Sequence, residues 1–294
     1  MNSSTPRYAV ITPAKNESAF IGQTIASMIA QSCRPVVWVI VDDASTDATA
    51  RIVKEAAANN AWIRYLLHPG QLKRKTGSAE VHAFDFGLAS IKDKIFDFVV
   101  KLDSDLRFEA DYFARLLAEF DKNSKLGITS GIYLEESDQS WEPVLMPSYH
   151  AAGASKVVRR ACFEQIGGFL AQRGWDTIDE IRAMARGWET SHFPDITFFH
   201  LRKEGTGMGQ IHTNVMHGEI YYRTGGGLLF FLVKVLNRTL RGSPFFICGA
   251  AMFYGYLSAI LRRMPRLVSS HEAATYRRML NSRLFGGLRR IIPS

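Results

Sequence analysis

Cysteine is scarce and scattered in this sequence. Cys33, Cys162 and Cys248 lie far apart, form neither a metal-ligand spacing nor a disulfide framework, and read as buried free thiols of a reducing compartment. The opening residues Met1-Asn-Ser-Ser-Thr-Pro-Arg7 lack the apolar stretch of a signal peptide, so the body is expected on the cytoplasmic side. The segment Thr12-Pro-Ala-Lys-Asn-Glu17 contains no glycine. That absence argues against the Gly-x-Gly-x-x-Gly turn of a dinucleotide-binding unit, and against the glycine-rich, arginine-bearing first loop of a nucleotidyltransferase. Acidic residues nearly vanish toward the end. From Arg223 onward 12 Lys and Arg face one acid, Glu272, which leaves 24 bases against 27 acids before it. The two parts therefore carry about −3 and +11. The aromatic-rich stretches of the tail are uninterrupted apolar runs, without basic residues alternating with stacking rings, and this favours an anionic membrane surface over nucleic acid.

What the chain does have is apolar material for a sizeable core, 47% of 294 residues. It is organised around Asp97-Phe-Val-Val-Lys-Leu-Asp-Ser-Asp-Leu106, an apolar run that ends in two carboxylates at i and i+2. Phe98–Leu102 reads as a strand buried on both faces, of the kind found in the middle of parallel sheets. Ligands of open α/β sheets bind beyond the carboxyl ends of the strands, and strand side chains repeat every two residues. Asp103 and Asp105 are thus expected to point the same way at that rim. Two hard oxygen ligands suit Mg²⁺ or Mn²⁺ held together with the phosphates of a substrate. Acid pairs at strand ends also serve turns and helix caps, and the three residues alone do not separate these roles.

In chain order, Tyr8–Thr12 is a first strand, and Ser18–Gln31 carries Ile21, Ile25, Met28 and Ile29 at helical spacing. Val36–Val41 is a second strand. Asp42-Asp-Ala-Ser-Thr-Asp47 leads into a helix reaching about Asn59, with Ser45 or Thr46 as its cap, which leaves one of Asp42 and Asp43 free at the rim. Trp62–Leu67 reads as an edge-like strand. Lys73, Arg74 and Lys75 in the next loop form a solvated face or neutralise a diphosphate. Ser78–Ile91 and Phe108–Phe120 are helices, and Leu126–Leu134 is a strand. Glu135–Ala152 is acidic, aromatic and irregular, long enough for a lid. Ser155–Arg159 leads into a short helix that Gly167-Gly168 ends, and Gly174-Trp-Asp-Thr-Ile-Asp-Glu180 runs into a helix that stops at Gly187. Phe193–Leu201 delivers His200 and Arg202 to one end of the sheet. A histidine there is ordinary hydrogen-bonded structure unless a metal lies nearby.

The tail differs in kind. Gly225–Leu236 is glycine-led and apolar, and Pro244–Leu261 gives 18 residues without charge, closed by Arg262-Arg-Met-Pro-Arg266. This is at the lower edge of the roughly 17–25 residues that span a bilayer, so it spans or re-enters a membrane, lies on its interface, or forms a core helix of a soluble unit. Tyr276–Ile292 is basic and amphipathic, suited to anionic lipid.

Taken in order, these signals resemble the family 2 glycosyltransferases with the GT-A fold, over about Arg7 to Arg202. Thr12-Pro-Ala-Lys-Asn-Glu17 resembles that family's first-strand motif, Val41-Asp-Asp-Ala-Ser-Thr-Asp47 its second and Lys101-Leu-Asp-Ser-Asp105 its metal motif. Arg159–Phe169 is similar to the turn before its acceptor site, and Trp175-Asp176 falls where it carries an acidic pair. The resemblance implies an α/β fold with a Rossmann-like, mostly parallel central sheet flanked by helices. The GT-A domain would occupy residues 1–222 and an apolar, basic helical tail residues 223–294. It also implies a metal-dependent, inverting hexosyltransferase that moves a sugar from a nucleotide-diphosphate donor to a hydroxyl, on a lipid-linked or saccharide acceptor.

Residue by residue, the resemblance assigns the donor to Thr12, Ala14, Glu17, Asp43, Lys73 and Asp103, with Thr12 and Asp43 at the nucleobase and Asp103 at the ribose. The metal, Mn²⁺ or Mg²⁺, falls to Asp105 with His200 as a further ligand. Asp176 becomes the catalytic base, with Asp179 and Glu180 as rivals on the same helix face. Two residues depart from the family pattern: Trp175 stands for the usual Glu, and Asp85 for the usual Asn in the helix before the central strand. The tail resembles that of members that build surface polysaccharides at the cytoplasmic face of the membrane. The competing readings are a nucleotidyltransferase-like enzyme and a non-catalytic, membrane-associated sugar-nucleotide-binding protein.

Overall fold

The computed structural model describes residues 6–70, 78–137, 140–202, 209–241 and 245–291. The chain divides into two compact units, Met1–Lys203 and Glu204–Ser294. Lys73, assigned to the donor by resemblance, lies outside the described residues with Arg74 and Lys75.

In the first unit the strands are β1 (Tyr8–Ala14), β2 (Val37–Asp43), β3 (Ile63–His68), β4 (Phe98–Leu102), β5 (Leu106–Phe108), β6 (Leu126–Glu136), β7 (Trp141–Pro143), β8 (Ser155–Arg159) and β9 (Glu189–His200). They form one sheet in the order β3-β2-β1-β4-β8-β6-β9-β5, with β7 paired to β6. β1, β2, β3 and β4 pair in parallel. Beyond β4 the sheet is mixed: β8 runs antiparallel to β4 and β6, β9 is parallel to β6, and β5 and β7 are antiparallel to their neighbours. The expectation of a mostly parallel sheet therefore holds up to β4 and gives way after it.

Strands β1 and β2 read as continuous apolar runs because both of their faces are covered. Tyr8, Val10, Trp38 and Ile40 pack with α1 (Ile21–Ile29), α2 (Thr49–Asn59) and α4 (Tyr112–Lys122). Ala9, Ile11, Val39 and Val41 point the other way, onto α3 (Ala79–Ala89), α5 (Arg160–Ile166) and α6 (Trp175–Ala185). On that side α3 lies flat on the sheet at Gly87, where an added Cβ would stand 2.7 Å from methyls of Ile11 and Val41. Gly167, at φ 76°, ends α5 in the left-handed region as its sequence suggests.

Two details differ from expectation. The helix after β2 starts at Thr49, and its first amide bonds Asp47 Oδ1 at 2.9 Å, so neither Ser45 nor Thr46 caps it. The stretch after Leu134 is less irregular than expected, because β6 continues to Glu136 and pairs with β7.

The second unit contains α7 (Gln210–Arg223), α8 (Leu228–Arg241), α9 (Ile247–Leu261) and α10 (Ser270–Ile291). α7, expected on the body side of a boundary at 222/223, packs against α9 within this unit. Their backbones touch, since a Cβ at Gly218 would fall 1.9 Å from Met252 O and one at Gly255 would fall 2.0 Å from Val215 O. The rings of Tyr221, Phe231 and Tyr256 stack where α7, α8 and α9 meet. The uncharged run is thus a 15-residue helix whose Cys248, Met252 and Tyr256 are buried. No helix among the described residues is long and apolar enough to cross a membrane.

Candidate active site

Parallel pairing of β1, β2 and β4 brings the carboxyl ends of these strands to one rim. Asn16 and Ala44, in the loops that leave β1 and β2, both hold φ 56°. For alanine this left-handed geometry is strained by about 1–2 kcal/mol, as is common where a backbone is shaped around a ligand. The two loops are laced together: Asn16 Oδ1 accepts from Thr46 N–H at 2.8 Å, and Glu17 N–H donates to Thr49 Oγ1 at 2.8 Å.

The residues assigned to the donor divide into rim and interior. Thr12 is fully buried, and its hydroxyl accepts the Trp38 indole N–H at 2.9 Å, so this side chain is engaged inside the fold. Ala14 ends β1 opposite Asp42. Asp42 is occupied by the Ser45 amide and the Tyr65 hydroxyl. Asp43 meets His68 Nδ1 at 2.9 Å across the ends of β2 and β3, so neither acid of that pair stands free as the sequence suggests. Asp85 does not reach the rim. With Val99, Arg160 and Glu164 it lines a cavity of about 420 Å³ at the start of β4, the end opposite Asp103.

At the end of β4, Asp103, Asp105 and His200 converge, each offering a ligand atom within 4.8 Å of the others. The pairing Leu106↔His200 between β5 and β9 delivers the histidine. Its Nε2 lies 3.5 Å from Asp105 Oδ1. On the other side, Arg202 Nε is 3.7 Å from Asp105 Oδ2, and its guanidinium also bonds Glu17. Burial pushes the Glu17 carboxyl up to about 7 despite that guanidinium, with Asp105 adding to the rise. Asp103 is held differently, by the buried Lys101 at 2.5 Å. Burial raises its carboxyl, Lys101 pulls against this, and Asp105 adds to the rise. Two carboxylates and an imidazole form a donor set suited to Mn²⁺ or Mg²⁺.

A second set of acids stands beside the first. The Asp103 amide bonds Ala154 O at 2.7 Å, and a Cβ on the adjacent Gly153 would lie 3.5 Å from Asp176 Cβ. Asp176 is therefore at the same rim, in the first turn of α6 and about one-third exposed. Its sequence rivals are not. Asp179 and Glu180 are buried against the equally buried Lys156, whose ammonium bonds both Asp179 oxygens at 3.0 and 3.1 Å and the Asp176 carbonyl at 2.7 Å. Burial alone would lower Lys156, but the acids outweigh it and hold its pKa above the ordinary lysine value. Glu180 also accepts the Ala151 amide at 2.7 Å and meets His150 at 3.0 Å.

Trp175 joins the two sets. Its ring meets the ammonium groups of both Lys101 and Lys156, at 5.2 and 5.3 Å, and its indole N–H donates to Glu80 at 2.6 Å. The sequence reading missed Lys101, Lys156, Glu80 and His150. A lysine inside an apolar strand, as in Lys101 of β4, is the one signal that marks such a partner in advance.

A mixed sheet with helices on both faces and an acid cluster at the end of its central strand defines a GT-A glycosyltransferase fold. The profile of glycosyl transferase family 2 matches residues 9–174, and the chain belongs to that family. The mannosyltransferase PcManGT from Pyrobaculum calidifontis, in complex with GDP-Man and Mn²⁺, superposes with a TM-score of 0.60 at 19% identity, covering 97% of this chain and 81% of that one. TarS 1-349 of S. aureus superposes at 0.55 and 16% identity, over 95% and 92%. The O-antigen biosynthesis protein RfbC of Myxococcus xanthus is 28% identical over 222 residues, 68% of this chain. The chain spans 16% of the length of that relative.

Proposed function

We propose that this glycosyltransferase is inverting and metal-dependent, moving a sugar from a nucleoside-diphosphate donor to a hydroxyl of a saccharide or lipid-linked acceptor at the cytoplasmic face of a membrane. The observation that carries the proposal is the meeting of Asp103, Asp105 and His200 at one rim with Asp176 alongside. PcManGT holds GDP-Man and Mn²⁺, and TarS has been seen with UDP-GlcNAc, which supports a nucleotide-sugar donor here.

Asp105, Asp103 and His200 would hold the cation, which when bound neutralises the donor diphosphate. Arg202 adds positive charge beside Asp105. Asp176 accepts the proton of the acceptor hydroxyl as that oxygen attacks the anomeric carbon, and the sugar–diphosphate bond breaks on the opposite side. Direct activation of the acceptor by one base implies inversion.

The attachment to lipid has its own support. Leu228, Leu229, Leu232, Val233, Leu236 and Leu240 form an exposed apolar stripe along α8, within a tail rich in arginine. A helix of this kind lies in the interfacial plane, and anionic headgroups complement its charge. This moves the membrane contact expected of 244–261 partly onto α8.

Asp105→Ala tests the site. UDP and GDP are titrated by thermal shift with and without Mn²⁺. Tightening by Mn²⁺ in the wild type, lost in the variant, is expected. Equal Mn²⁺ dependence in both would place the cation elsewhere.

A further inference from the structure

We infer that His150 is a positioning residue for Asp176: its ring is tied by one nitrogen to the buried Glu180 carboxylate and presents the other to the Asp176 carboxylate. The inference rests on the reading of Asp176 as the base. His150 lies in the stretch between β7 and β8 that the sequence suggests as a lid, and it is four-fifths buried. Nδ1 stands 3.0 Å from Glu180 Oε2, and Nε2 stands 3.9 Å from Asp176 Oδ2.

The geometry leaves the ring little choice of orientation. Glu180 is fully buried and pinned by the Ala151 amide at 2.7 Å and by Lys156 at 3.4 Å. The main chain of His150 is also held, its amide bonding Pro147 O at 2.8 Å and its carbonyl facing His192 Nδ1 at 2.9 Å. With Nδ1 committed to an immobile carboxylate, Nε2 is directed at the rim. The Asp176 carboxylate, unlike those of Asp179 and Glu180, is reached by solvent, so a fixed cation beside it restricts the rotamers from which it takes a proton.

The charges that face His150 are Glu180 and Asp176 from α6 and Lys156 from β8, with Asp179 behind Lys156 and His192 of β9 at its carbonyl. Burial disfavours the imidazolium and Lys156 opposes it. Glu180 and Asp176 outweigh both and raise His150 above the ordinary imidazole value. The positioning cation is thus present below that raised pKa and is lost as pH climbs through it.

Two measurements on the full chain test this. In ¹⁵N-histidine-labelled protein followed by NMR, His150 is expected to titrate above the ordinary imidazole value, and Asp176→Asn is expected to lower its midpoint. An unchanged midpoint in that variant overturns the inference. In steady-state kinetics, His150→Gln keeps a donor for Glu180 and removes the charge. It is expected to lower kcat with little change in donor KM, and to abolish the fall in kcat that accompanies deprotonation of His150. A His150→Gln enzyme with the wild-type kcat and pH profile makes the residue merely structural and overturns the inference. If that variant does not fold, the NMR midpoint decides alone. Near-normal turnover by Asp176→Asn defeats the base reading instead, whichever way the midpoint moves.

Discussion

The two acid clusters at the rim hold their carboxylates in different ways. Around Asp105 the contacts are long, 3.5 Å to His200 and 3.7 Å to Arg202. Around Lys156 they are short and enclosed: Asp179, Glu180 and the lysine are buried, with bonds of 3.0 to 3.4 Å. At the first, Lys101 holds Asp103 at 2.5 Å while Asp105 keeps only long contacts; at the second, Asp179 and Glu180 are enclosed and spent on the fold. The second cluster therefore works as scaffold for its one exposed member, Asp176, which explains how three acids on one helix yield a single candidate base.

The sharpest way to break this contrast is Asp176→Asn. Turnover is expected to fall by about 10²–10⁴-fold while nucleotide titrations stay unchanged, because the amide keeps the shape without the basicity. If Asp179→Asn gives the same separation of kcat from binding, the scaffold reading fails.

Next in size is Lys156→Met. Removing the cation leaves buried carboxylates unpaired, a loss of about 3–5 kcal/mol in denaturant unfolding. Adding Asp179→Leu to it should recover part of that loss.

Lys101→Met is the matching change at the open cluster and is expected to cost less, about 1–3 kcal/mol, since Asp103 and Glu80 keep contact with solvent. Mn²⁺ should raise the melting temperature of this variant, whose Asp103 has lost its lysine, by more than that of the wild type, whereas Lys156→Met, which leaves Asp103, Asp105 and His200 untouched, should respond as the wild type does. An equal response in both would erase the distinction between the clusters.

An acid outside both sets the baseline. Asp47 takes hydrogen bonds from the Thr49 hydroxyl and from the Thr49 and Ser18 amides, and these hold its carboxyl well below the ordinary range despite some burial cost. A depressed folded pKa stabilises above the unfolded value of about 3.9 and loses that effect as pH falls. Asp47→Ala should cost about 1 kcal/mol near pH 7, as for a lost helix cap, and the gap from wild type should narrow below about pH 4.

How far the sequence could be read depends on how local each signal is. β1, β2 and β4 are legible because burial on two faces writes itself as an unbroken apolar run, and α4 because Tyr112, Phe113, Leu116, Leu117 and Phe120 share one side. The strand-end acids follow from β4. β5 and β7 escape notice at three residues each, too short to show a period. The antiparallel insertion of β8 beside β4 depends on pairings made elsewhere in the chain. The burial of Asp179 and Glu180 needs Lys156, more than twenty residues earlier, and spacing on a helix does not reveal it. Thr12 illustrates the same limit, since its partner Trp38 comes from the next strand.

The pairing of β5 with β9 bears on the order in which the molecule assembles. Asp103 and Asp105 emerge early in synthesis, but His200 and Arg202 arrive roughly a hundred residues later and are fixed only when β9, the last strand of the first unit, takes its place between β6 and β5. Closing so long a stretch is entropically slow. A nascent or partly folded chain thus offers two aspartates without their imidazole, and the cation binding proposed for this rim should appear during refolding only once the sheet is complete.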